Sequence, residues 1–160
     1  MTRLVLAFAL LGALATARAQ VALVLEYPEG MALELSVPEL VFDLSRVGFP
    51  PPELPAYYAP TAPQGPVTLR LFNNLEGGWL LEAKLDGLAN EDGQWIPPDR
   101  IEVRLNGGPW IALSQPVVLW TGSGPTGEWR SFTLELRFKA VGDELPGRYQ
   151  GLLVLALSRL

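Results

Sequence analysis

The residues of this chain equipped for chemistry are its carboxylates and its tryptophans. Glu91, Asp92, Glu128 and Asp143 sit in or beside Gly- and Asn-rich punctuation. A facing pair of such acids can cleave a glycosidic bond, one protonating the leaving group while the other assists attack. No spacing selects a pair, and acids in turns commonly cap backbone amides instead. Asn90, Glu91 and Asp92, in "NEDG", group three oxygen-bearing side chains before Gly93. A hard cation accepts such ligands, but the spacing is not that of a twelve-residue calcium loop, and adjacent acids in a turn are ordinarily just solvated. Trp95, Trp110, Trp120 and Trp129 fall in or next to predicted loops, where indole rings can stack on sugars. The competing reading has them plugging the ends of a core. Tyr57 and Tyr58, in a Pro-rich stretch, complete the candidates for ligand or partner contact.

Much other chemistry is excluded by composition. The chain has no histidine and no cysteine. That removes the commonest general base, both Ser–His and Cys–His nucleophiles, and structural zinc of the usual kinds. No Gly-rich loop leads from a strand into a helix, so there is no nucleotide fingerprint. The expectation is a protein without catalytic residues or cofactor. Carbohydrate binding through the loop tryptophans is the alternative, and a carboxylate-dependent hydrolase stands third.

The elements that must position these residues are strands. Phe132, Leu134, Leu136 and Phe138 alternate with Thr133, Glu135, Arg137 and Lys139, the period-two mark of a strand with one wet face. The same alternation marks residues 67–71, 79–85 and 101–105, and predicts strands at 33–36 and 39–45. "QVALVLEYP" and "GLLVLALS" are apolar nearly throughout, which predicts strands buried on both faces or covered by a partner. No window carries a helical period. Residues 48–66 hold seven prolines and read as a crossover loop rather than a strand, since proline cannot donate to a ladder. Phe49, Tyr57 and Tyr58 are expected to pack along its course. Trp79, on the alternating face of its strand, is expected in the core. The sum is an all-β chain: an antiparallel immunoglobulin-like β-sandwich of roughly seven to nine strands.

The ends indicate where the chain goes. Residues 1–19 combine one early cation, Arg3, an apolar run from Leu4 to Ala15, and the small residues of Ala17-Arg18-Ala19. These are the parts of a secretory signal peptide. Residues 20–160 then form one domain, with no membrane span after cleavage. Removing the leader leaves ten basic against seventeen acidic residues, a net charge of −7. So acidic a chain has little affinity for nucleic acid or an anionic membrane. A secreted, periplasmic or cell-surface location is expected.

"DELPGRYQGLLVLAL", residues 143–157, resembles the closing turn and strand of secreted bacterial immunoglobulin-like sandwiches, pilin-like and spore-coat surface modules among them. The matching positions are Asp143, Glu144, Pro146, Gly147, Tyr149 and Gly151, within about forty similar residues. The resemblance implies the fold and export. Strand-donating pilus subunits carry a disulfide and an aromatic-containing last strand, whereas this chain lacks cysteine and ends Ser158-Arg159-Leu160. Gly151 is expected to leave room for a large neighbour such as a tryptophan. The leading expectation for function is a structural or protein-interaction module. It would bind itself or an envelope component through its apolar N-terminal and C-terminal strands.

Overall fold

A computed structural model describes residues 17–160. The proposed leader therefore lies largely outside the described residues. Eleven strands run in chain order: β1 (Met31–Leu35), β2 (Ala56–Tyr58), β3 (Val67–Asn73), β4 (Gly78–Leu85), β5 (Leu88–Ala89), β6 (Trp95–Ile96), β7 (Ile101–Leu105), β8 (Ile111–Ala112), β9 (Val117–Ser123), β10 (Arg130–Ala140) and β11 (Leu153–Arg159). That exceeds the seven to nine expected. Four of them, β2, β5, β6 and β8, are two or three residues long, too short to leave an alternating signature.

All pairings are antiparallel. The larger sheet has the order β1-β3-β10-β7-β8, with β2 also against β10. The smaller sheet is β11-β4-β9, and β5 and β6 form a separate hairpin. Both large sheets feed one core. Leu69, Leu71, Val103, Phe132, Leu134 and Leu136 enter it from the larger sheet, and Trp79, Leu81 and Ala83 from the smaller. The rings of Trp120 and Phe132 meet edge-on at 5.2 Å, joining the two sheets at one margin. Trp120 thus lies inside β9, not in a loop.

β10 is the hub. Phe132, Leu134, Leu136, Phe138 and Ala140 are all buried, as the alternation requires. Burying each large side chain contributes about 1.5–3 kcal/mol. One flank of β10 pairs with β7 over residues 134–138. The other pairs with β3 over 130–134 and with β2 over 138–140. The stretch read as strandless therefore contains β2. Ala56–Tyr58 tolerates a ladder because no proline falls within it, while prolines crowd both sides.

Three further expectations are corrected. Residues 39–45 do not form a strand. Val41 makes one bridge to Ala62, and Asp43 caps a short 3-10 turn at Leu44–Arg46, ending the extended run. "QVALVLEYP" is not a strand and is not covered: Val21, Leu23, Val24, Leu25 and Tyr27 are 72–90% exposed. β11, read as a contact edge but with its faces buried or covered, is an edge strand paired with β4, and its Val154 faces outward rather than being buried.

Trp79, buried as expected, shows how tightly the smaller sheet closes. It pairs with Gly122 on β9, and a Cβ at Gly122 would lie 2.2 Å from its ring. Its indole N–H donates to the Gly124 carbonyl at 3.1 Å. Gly151 faces the backbone of Gly87 and the side chain of Leu88 rather than a tryptophan. Gly122→Ala is expected to cost about 1–3 kcal/mol through overpacking. Chemical denaturation measures it, and Trp79→Phe in the same chain should recover part of the loss.

Candidate functional site

β10 also organises the one surface where several predicted site residues meet. Its outward side chains Glu135 and Arg137 lie across from Arg104 and Glu102 of β7. The charges therefore alternate in both directions. Arg104 donates two bonds of 3.0 Å to the Glu135 carboxylate. Arg137 donates through Nε to Glu102. Both guanidinium groups then stack on Trp110, each 4.4 Å from its ring centroid. Arg137 also sits 3.9 Å from the ring of Tyr57. Contacts of this kind contribute about 0.5–1 kcal/mol each at exposed positions. Trp110 arrives from the segment after β7 and Tyr57 from the short strand β2, so the cluster pins one irregular segment to the sheet and covers the outer face where β2 joins it.

Trp129 repeats the arrangement at the far side of the same face. Its ring lies 4.9 Å from the Arg70 guanidinium and 5.8 Å from Phe72, while Arg70 pairs with Glu34 at 3.2 Å. Trp95 stands apart on the β5–β6 hairpin, 60% exposed, with its indole packed against Gly87. Tyr58 points the other way from Tyr57 and enters the core. Phe49 is exposed, so the aromatic residues of the Pro-rich stretch divide between packing and display.

The turn residues have structural partners. The Asn90 side-chain oxygen accepts the amides of Asp92 and Gln94, closing the β5–β6 turn. Glu91 and Asp92 point to solvent, as does Glu128. Among the described residues no group of three or more acids is placed to hold a cation. Asp143 pairs with Arg100 at 3.4 Å.

Glu144, marked by the sequence only as part of the closing-turn motif, organises the loop after β10. It accepts the amides of Val141 and Gly142 at 2.8 Å each, locking the loop after β10. Five residues further on, the Tyr149 hydroxyl donates to the Leu145 carbonyl at 2.8 Å. No family model, no curated protein and no solved structure matches this chain.

Partial burial pushes the Glu144 pKa up, but the amides of Val141, Gly142 and Glu144 and the charge of Arg100 outweigh it and hold the pKa below 4.5. A depressed carboxylate stabilises the fold above its unfolded pKa and loses that contribution as pH falls through the folded value. Glu144→Gln should therefore lower the melting temperature at neutral pH. The gap to the parent should close below pH 4.5 as the parent's own carboxylate is protonated. Thermal melts at the two pH values measure this.

Proposed function

We propose that this protein is a non-catalytic, exported module with an immunoglobulin-like sandwich fold, and that it works by holding another polypeptide. One observation carries the reading. The segment Val21–Tyr27 is mostly apolar and belongs to no strand or helix, and its large side chains are 72–90% exposed although it adjoins an ordered sheet. An apolar run of this length has a large unmet drive to leave water, about 25 cal/mol for each Å² covered. Its backbone is also free to add to the edge of a sheet.

The segment leaves the body under control. Gly30 donates its amide to the Asn74 side chain, and Asn74 in turn donates to the Pro28 carbonyl. The root is thereby fixed while residues 21–27 project. Export agrees with the leader-like residues 1–19. The immunoglobulin-like assignment draws on the two antiparallel sheets around one core and on the Tyr149–Leu145 bond, a corner that such sandwiches favour.

A carbohydrate platform would need open ring faces. The guanidinium groups of Arg70, Arg104 and Arg137 lie against Trp129 and Trp110, and Trp95 is remote from both. For the hydrolase reading, Asp143 is in an ion pair with Arg100, and Glu91, Asp92 and Glu128 point to solvent.

Leu23→Asp with Leu25→Asp should abolish association with the bound polypeptide, or with a second copy, yet leave the melting temperature unchanged, since neither side chain is buried. Sedimentation velocity over a wide concentration range, with affinity capture from envelope extracts, tests this. A parent chain that stays monomeric and captures nothing overturns the proposal.

A further inference from the structure

The projecting segment has a reactive residue at its head. Residues 17–29 are all exposed and belong to no strand or helix. Among the described residues, Pro28 and Gly30 are tied to the body, and no residue from 17 to 27 hydrogen-bonds to it. The bond between Ala19 and Gln20 therefore lies open to solvent. Ala17 and Ala19 are the small residues a leader peptidase reads. Cleavage after Ala19 makes Gln20 the first residue of the exported chain. Gln20 to Leu25 is then an uncharged run, and Glu26 is the first side-chain charge.

An N-terminal glutamine holds a nucleophile and an electrophile in one residue. Its α-amine titrates at about 7.7–8.0 in peptides, so part of it is unprotonated at neutral pH. Attack on the side-chain amide carbon closes a five-membered ring, with the advantage of an intramolecular step. The amine nitrogen bonds to Cδ, the Cδ–Nε2 bond breaks, and ammonia leaves with the proton that the amine gives up. No oxidant or second reactant takes part. The product, pyroglutamate, is a lactam that carries no charge. Covering Val21–Leu25 with another polypeptide also takes the residue at their head out of water. An ammonium there would be a desolvated charge without a partner, which is costly. Glu26 lies about 20 Å away once the chain is extended.

We infer that Gln20 of the exported chain is a modification site, converted to pyroglutamate, and that this neutral ring caps the apolar segment so that its head can be covered together with Val21–Leu25. The step rests on the export and the use of Val21–Tyr27 proposed above. The absence of histidine and cysteine makes it readable. Between about pH 6 and 9 a free α-amine is the one group of ordinary pKa left to titrate, and ring closure removes it.

The test expresses the full chain with its leader in an exporting bacterium, recovers the processed protein and holds it at neutral pH. Its intact mass should be that of residues 20–160 less one ammonia. Stepwise N-terminal degradation should fail until pyroglutamyl aminopeptidase exposes Val21. Gln20→Asn is the comparison, because its amine can close only a strained four-membered ring. It should be cut at the same bond, melt at the same temperature and keep a free amine. A phenyl-bearing matrix then probes the segment. The parent's affinity for it should not change between about pH 6 and 9. That of Gln20→Asn should be about three- to tenfold weaker at the lower pH, where its amine is charged, and should approach the parent's at the higher. A correctly cut parent with a free amine overturns the inference, as does pH-independent affinity in Gln20→Asn. A chain that keeps its leader or is cut elsewhere overturns it through the export reading instead. Failure to capture a polypeptide moves none of these readouts, so the modification and the proposed function can fail separately.

Discussion

The structure depends on β10 being hydrogen-bonded along both flanks while one face is dry. Its eleven residues are the longest strand, and every second side chain from Phe132 to Ala140 lies in the core. Backbone groups buried beside such a face cannot be left to water that is not there. β7 meets this demand on one side without a break. On the other side it is met by β3 and then β2, two strands that the chain delivers before and after a Pro-rich detour. The larger sheet is therefore complete except where proline removes the donors.

The same strand couples the core to the surface. The residues between the buried ones, Glu135 and Arg137, are fixed in register by the hydrophobic set, because a slip of one residue would turn Phe132 and Leu134 outward. That register brings each opposite a counter-charge on β7. The guanidinium groups, held by carboxylates, then offer flat faces to Trp110 and Tyr57. The irregular segment that carries Trp110 is thus anchored to the sheet by cation–aromatic contact, which needs no backbone ladder. In a chain without disulfides this is a substantial part of how its loops are held.

The smaller sheet is finished differently. Its close approach to the core at Trp79 relies on the missing side chain of Gly122, and its two outer strands, β9 and β11, each pair only with β4. Apolar surface on and near these edges, together with the projecting segment before β1, makes this a molecule with more exposed oil than its own fold consumes. That imbalance is the physical ground for reading it as an interaction module.

Strict alternation was enough to locate β3, β4, β7 and β10 and to place Trp79 in the core, because period two and burial are one fact seen twice. Absence of histidine and cysteine likewise limited the chemistry before any fold was known. The tertiary structure decided what pairing decides. β2 is too short to leave a pattern and exists only because β10 offers it a flank. Residues 39–45 alternate yet find no neighbour beyond one bridge, so they bend into a 3-10 turn. "VALVLEY" has the composition of a buried strand and lies in solvent, since composition records the drive to be covered and not whether a cover is present. Tyr57, Tyr58 and Trp110 were legible as candidates by type. Their meeting around one space beside Leu136 was not, because it depends on contacts between residues far apart in the chain, which no local period encodes.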